Sequence, residues 1–359
     1  MRPSREDVYD SIVIGAGQAG LSASYHLMRR GIRHLVLDAD GAPGGAWQHR
    51  WDSLTMADVH GVAALPGSEG PEAAGLVQAN RAVPAYFSDY ERTYDLPVVR
   101  PVRVESVAGV AAFGEELLQV RADAGTWWTR TLVNATGTWS QPFVPHYPGI
   151  ETFSGPQWHT ATYPGAEAFR GHRTVVVGGG ASAVQLLGEI ALVTETLWVT
   201  RRPPVWRTDD FTPEAGRAAV AMVEQRVRDG LPPASVVSVT GLMLREQERA
   251  AAELGAYTRR PMFAGLEPHG ARWADGSFEP ADAVLWATGF RPAIAHLAPL
   301  GLRGPRGGIR LDGTTAVSDP RVQLVGYGPS ASTIGANRAG RVAARGVAAS
   351  LDAQVALGA

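Results

Sequence analysis

The stretch that decides the fold is Asp10-Ser-Ile-Val-Ile-Gly15-Ala-Gly17-Gln-Ala-Gly20, an apolar strand running straight into a glycine-rich turn. Leu21, Tyr25 and Met28 then recur at helical spacing, and Gly31 offers a C-terminal stop. Leu35-Val-Leu-Asp38 follows as a second strand ending on an acid. Strand, G-x-G-x-x-G, helix, strand and acid compose one βαβ unit. The three glycines then serve different ends. Gly15 permits the tight turn, Gly17 lets a pyrophosphate approach the backbone, and Gly20 lets helix and strand pack closely. The helix N-terminus offers free N–H groups and the positive end of its dipole to phosphates. Asp38, 23 residues after Gly15, sits where an acid accepts hydrogen bonds from a ribose.

The pattern returns at Thr174-Val-Val-Val-Gly178-Gly179-Gly180-Ala-Ser182-Ala183, with a helix read over Ala183 to Ile190 and small Ala183 in the third glycine position. The next strand, Thr196 to Thr200, ends at Arg201-Arg202, and Arg201 stands at the same 23-residue offset from Gly178. A carboxylate suits a free 2′-hydroxyl, whereas guanidinium groups suit a 2′-phosphate through charge-assisted, bidentate contacts. Two sites with opposite ribose preferences imply FAD at the first and NADPH at the second.

Leu132-Val-Asn-Ala-Thr-Gly137 and Val284-Leu-Trp-Ala-Thr-Gly289 are a further matched pair, each an apolar strand ending in Ala-Thr-Gly. One after each βαβ unit suggests that the second domain is inserted into the first. The expected division is 1–147 with 290–359 for FAD, and 148–289 for NAD(P)H, with a helical insertion at about 205–265. Within it Pro213 to Arg228 and Leu242 to Leu254 read as helices, and Arg272 to Phe278, centred on Asp275-Gly276, as a hairpin. The chain closes with a strand, Val322 to Gly328, and a helix through about Ser350, with Ser332 or Asn337 as its cap. That helix N-terminus is a candidate for stabilising negative charge on a reduced flavin.

Composition narrows the chemistry. The 359 residues include no Cys, which removes disulfides, thiolate metal sites and dithiol redox mechanisms. All 33 basic residues are Arg, so Schiff-base chemistry and the phosphate-binding lysine of ATP-hydrolysing loops are absent as well. The His residues show no metal-ligand spacing, and no metal is expected. A net charge of -2 gives no reason to expect nucleic acid. No run of 18 apolar residues occurs, and the first ten residues carry no signal core, so no membrane is expected and the cytoplasm is the expected location.

Gly15 to Gly20, Gly44-Gly45-Ala-Trp47, Gly178 to Ala183 and Ala287-Thr-Gly289 together resemble the flavin-containing monooxygenases. The most specific element is Phe153-Ser-Gly155-Pro-Gln-Trp-His159-Thr-Ala-Thr-Tyr163, similar to that family's fingerprint at all four fixed places. The resemblance implies an α/β chain of two Rossmann-like dinucleotide-binding domains, FAD/NAD(P)-binding and glutathione-reductase-like, the second inserted into the first. It implies that Gly15, Gly17, Gly20, Asp38, Gly45 and Trp47 hold FAD, that Gly178, Gly180, Ser182, Arg201 and Arg202 hold NADPH, and that Gly137, Gly289, Gly328 and Ser332 border the cofactors. His159 is expected to couple the two domains and not to act as an acid–base catalyst; with Trp47 and Asn337 it makes up the catalytic candidates, and Asn80 is an alternative Asn.

What the resemblance implies for activity is NADPH-driven insertion of one oxygen atom from O2 into a small apolar organic substrate, through a C4a-(hydro)peroxyflavin. A fingerprint ending in Tyr is similar to the branch that oxidises sulfides or amines. Baeyer–Villiger oxidation of ketones, and an NAD(P)H oxidase or acceptor reductase without oxygenation, stand as alternatives. NADH as a second donor and a homodimer are left open.

Overall fold

Runs of β-branched and aliphatic residues set the frame. The computed structural model describes residues 5–59, 62–71, 75–207, 213–233, 241–331 and 333–358. Strand β1 (Val8–Ile14) pairs in parallel with β2 (His34–Leu37), from Ser11↔His34 to Ile14↔Leu37, and β2 with β3 (Val98–Val99). An antiparallel meander, β4 (Val104–Ala112) and β5 (Glu115–Ala122), leads into the long β6 (Gly125–Asn134). One edge of β6 runs along β1; the other pairs first with β5 and then, at Leu132 to Asn134, with the late strand Val322–Leu324. The first turn thus opens at the centre of a sheet that continues on both sides.

The second sheet is wholly parallel, and the strands at its centre read as nearly unbroken apolar runs because both faces are covered. It is built from β7 (Gln157–His159), β8 (Thr174–Val177), β9 (Thr196–Thr200), β10 (Arg259–Pro261) and a strand at Ala283–Trp286, in the order β10-β9-β8-(283–286)-β7. Every residue of β8 and of 283–286 is buried. Each fully buried aliphatic there, such as Val175 or Leu285, contributes about 1.5–3 kcal/mol. The hairpin expected around Asp275-Gly276 forms with Arg272 opposite Phe278, and Asp275 bonds both the N–H and the hydroxyl of Ser277.

Helix α1 (Gln18–Met28) ends where Gly31, at φ +67°, turns the chain. Helix α2 (Ala79–Thr93) and α3 (Ala181–Ile190) follow, and then α4 (Pro213–Arg228). The last helix, Thr333–Gly358, runs past Ser350 and lies against α1 at Gly340, where a Cβ would stand 2.4 Å from the Ser22 hydroxyl.

The chain divides into two compact units, Met1–Thr138 with Arg217–Val236 and Pro292–Ala359, and Trp139–Gly216 with Val237–Arg291. The crossings fall at 138/139 and 291/292, where the sequence suggested 147/148 and 289/290. The stretch 217–236 belongs with the first unit, not with an insertion in the second. The reason is packing: Val227 is buried in the first unit's core beside Leu302, Ile309 and Tyr327, and the Gly308 N–H donates to the Gly230 carbonyl. The expected helix over Leu242 to Leu254 is shorter. Leu242 instead exchanges backbone bonds with Val205 and Arg207, and helical structure begins at Glu246.

Candidate functional site

The first turn is shaped by contacts only glycine tolerates. Gly15, at φ +99°, would place a Cβ 2.7 Å from the Ala135 carbonyl oxygen, and one on Gly20 would stand 1.9 Å from that of Gly15. Gly17 caps α1 without any side-chain bond, leaving the helix's first N–H groups free of an internal cap. The Gly44-Gly45-Ala46-Trp47 segment lies directly against this turn: Gly45, at φ +49°, would put a Cβ 2.8 Å from the Gly17 Cα. Trp47 follows on the next turn with the Arg50 guanidinium 5.7 Å from its ring, and burial pulls Arg50 down to about 10.

Asp38 directly follows β2 and is 5% exposed. Burial pushes its carboxyl above the ordinary range, opposed by the Arg100 guanidinium 3.2 Å away and the Ala16 N–H. Arg100 is itself held by a two-point contact with Glu91 at 2.6 and 2.8 Å. The sequence did not single out either partner, because Glu91 and Arg100 lie far from the glycine motif along the chain.

A second feature missed from sequence is the bracing of the loop after Val62. The Gln18 side-chain N–H donates to the Ala63 carbonyl at 2.7 Å, and Asn337 donates to that of Ala64. The Tyr86 hydroxyl accepts from the Leu65 N–H, Tyr90 donates to the Pro66 carbonyl, and Tyr94 to that of Gly67. Asn337 therefore lies inside the last helix as a brace, not at its cap; its own carbonyl accepts from Ser22 at 3.0 Å. Asn80, near the start of α2, donates to the Arg50 carbonyl and to Asp52. Ser332 lies outside the described residues. Gly328 faces Val227, 2.7 Å from where a Cβ would stand, while Gly326 lies beside Gly137. The glycine next to the first Ala-Thr-Gly turn is thus Gly326.

The second turn repeats the first at the backbone. Gly178, at φ +146°, would put a Cβ 2.1 Å from the Ala287 carbonyl oxygen, as Gly15 does against Ala135. Gly178 N–H bonds the Val199 carbonyl where Gly15 bonds that of Leu37. Gly180 caps α3 without a side-chain bond, and nothing lies within 4 Å of where its Cβ would be. Ser182 sits half-buried in the first turn of α3, and Arg201 and Arg202 are exposed just past β9.

The two Ala-Thr-Gly segments are also equivalent. Ala135 N–H donates to Ile14 and Ala287 N–H to Val177, both at 2.8 Å. The Thr136 hydroxyl donates to the Ala293 carbonyl and Thr288 to that of Phe143. The Gly137 and Gly289 carbonyls accept from Ala293 and Phe143 in return.

The fingerprint residues form a strap along the β7 edge of the second sheet. Phe153 enters the core with Val284 and Trp286, and Gly155 approaches the Asp282 carbonyl, leaving no room for a Cβ. Tyr163 donates to Glu189 on α3 at 3.1 Å. The His159 Nδ1 accepts from the Ala161 N–H, so its Nε2 carries the proton and donates to the Gly289 carbonyl, each at 3.0 Å. Both ring nitrogens are thus occupied, and burial holds the imidazole below its ordinary pKa and neutral. His159 is thus bonded through both ring nitrogens at the end of the second Ala-Thr-Gly strand.

Among the described residues no group of acids and imidazoles could hold a metal ion, and no helix is long and apolar enough to cross a membrane.

Comparison with known proteins agrees with the two turns. Residues 12–232 match the family described as pyridine nucleotide-disulphide oxidoreductase. The solved flavin-containing monooxygenase from Stenotrophomonas maltophilia is 38% identical with a TM-score of 0.81, the match covering 96% of this chain and 99% of that one. The Uncharacterized oxidoreductase CzcO of Bacillus subtilis is 26% identical over 313 residues, 84% of this chain and 87% of its own length. The Baeyer-Villiger monooxygenase of Streptomyces coelicolor is 27% identical over 354 residues, 90% of this chain and 65% of that protein. Paired glycine turns, paired Ala-Thr-Gly strands, the fingerprint strap and these likenesses converge: the chain belongs to the flavin-containing monooxygenases, within the broader pyridine nucleotide-disulphide oxidoreductase family.

Proposed function

We propose that this enzyme uses FAD in its first unit and NADPH in its second to transfer one oxygen atom from O2 to a soft nucleophile, a sulfide or an amine. The observation that carries the cofactor assignment is the contrast between a buried acid at Asp38 and an exposed arginine pair at Arg201-Arg202, at the same place in two matching turns. Bound flavin supplies the redox chemistry, taking up hydride and activating oxygen. The chain's own part is to bind and orient. The N–H groups at the start of α1 donate to the flavin dinucleotide's pyrophosphate, and Gly17 leaves space for it. Asp38 accepts from the adenosine ribose, while the half-buried Trp47 keeps water from the adjoining wall. On the second unit the α3 N-terminus takes the NADPH pyrophosphate past the open Gly180 face, and Arg201 and Arg202 take the 2′-phosphate.

The occupied nitrogens of His159 favour the soft-nucleophile reading. A sulfide or amine attacks an electrophilic oxygen without an enzymic base, so a neutral, fully bonded imidazole costs that reaction nothing. The 27% likeness to a Baeyer-Villiger monooxygenase favours ketones as a second reading. The test follows NADPH consumption with methyl phenyl sulfide and, separately, with a simple cyclic ketone. Sulfoxide in step with NADPH supports the proposal, ester or lactone supports the second reading, and hydrogen peroxide alone contradicts both.

A further inference from the structure

The exposed arginine pair of the second unit does not stand unsupported. Thr200, the last residue of β9, is 1% exposed, and its hydroxyl both accepts and donates. It accepts from the Arg259 Nε at 2.7 Å and donates to the Arg202 carbonyl at 2.7 Å. A hydroxyl has one proton to give, so the guanidinium on one side commits that proton to the carbonyl on the other. Arg259 reaches it from β10, which runs parallel to β9 with Pro261 opposite Thr200, and adds a second bond from its terminal nitrogen to the Thr200 carbonyl at 3.1 Å. The other side of Thr200 faces the glycine turn: its Cβ and methyl lie 3.7 Å from where a Gly179 Cβ would stand. One buried side chain therefore packs on the glycine turn and fixes the main chain of the arginine pair.

We propose that Thr200 and Arg259 are positioning residues for nucleotide preference. By holding the Arg202 carbonyl they aim the Arg201-Arg202 segment, so that selection of the 2′-phosphorylated dinucleotide depends on a hydroxyl that need not touch the ligand. Arg259 also places a third positive charge behind the pair, adding to the field a phosphate meets there. The inference rests on the reading of Arg201 and Arg202 as the 2′-phosphate contacts.

The experiment measures dissociation constants of NADP⁺ and NAD⁺ by calorimetry on the flavin-loaded enzyme, alongside the NADPH:NADH ratio of kcat/KM. Thr200→Val keeps the shape and removes the hydroxyl; it is expected to weaken NADP⁺ about 5–10-fold and NAD⁺ less than about twofold, as loss of one buried hydrogen bond would. Thr200→Ser, which keeps the hydroxyl, is expected to restore the preference. Arg259→Gln moves it in the same direction as Thr200→Val, and supplies the test if the valine variant does not fold. A merely structural role would weaken both nucleotides alike. If Arg201→Ala with Arg202→Ala abolishes the preference while Thr200→Val and Arg259→Gln leave it intact, the positioning role is overturned and the reading of the arginines stands. If the double alanine variant leaves the preference untouched, the reading of the arginines falls and the positioning role falls with it.

Discussion

The two nucleotide turns share a backbone and differ in what encloses them. In the first, Gly20 sits against the Gly15 carbonyl with no room for a methyl, Gly45 closes on Gly17, and the acid at the end of β2 is buried and braced by Arg100. In the second, Ala183 occupies the third glycine position with its methyl buried, the Gly180 face is open, and the arginines at the end of β9 are exposed. A closed turn suits a cofactor that stays, and an open one suits a cofactor that arrives, reacts and leaves. The two turns share their backbone geometry; side chains and enclosure set them apart.

The sharpest way to break this comparison is to exchange the third position. Gly20→Ala must push the Gly15 backbone aside and is expected to lose flavin and destabilise the first unit by several kcal/mol, a large effect among single substitutions. Ala183→Gly in the second unit is expected to cost only about 1 kcal/mol, that of glycine in a helix. Flavin content and thermal unfolding check both, and equal losses would erase the distinction. Next in size, replacing Arg201 and Arg202 with Ala is expected to raise KM for NADPH about 10–100-fold with NADH within a few-fold, the scale of losing charged contacts.

Asp38→Asn keeps the shape of the first site while removing its charge. Reconstitution of the apoprotein is expected to show FAD affinity about tenfold lower, the scale of one charge-assisted bond. An unchanged affinity would detach Asp38 from the ribose.

A last effect is one of pH, again in the first unit. His296 Nε2 lies 2.7 Å from the Asn134 side-chain oxygen, and burial holds its pKa at about 4, below the ordinary value of 6.5. As pH falls through that window the unfolded imidazole takes a proton that the folded one refuses, so stability is lost on acidification between about pH 6.5 and 4. The loss is on the order of 3 kcal/mol at most. Denaturant midpoints across this range check it, and His296→Gln should flatten the dependence.

Much of this was legible in the sequence because local rules agree with the global fold there. Both glycine motifs, both Ala-Thr-Gly strand ends and the Asp275-Gly276 hairpin are short-range signals, and they stand where their spacing predicted. What escaped detection depends on residues distant along the chain. Nothing near Asp38 announces Arg100, and the tyrosines that hold residues 65–67 look from sequence like one face of an ordinary helix. Asn337 reads as a helix cap until Ala64 is found beside it. The stretch around Val227 follows a helical period in either unit, and only its contacts with the 302–328 region decide between them.

Competition at the second turn tests the central contrast most directly. Against NADPH, 2′,5′-ADP and 5′-ADP differ in where their phosphates lie, and neither carries a nicotinamide. If the arginine pair reads the 2′-phosphate, 2′,5′-ADP inhibits at least about tenfold more strongly, worth about 1.4 kcal/mol or more, and neither displaces the flavin. Equal inhibition by the two, or release of flavin by either, would contradict that contrast.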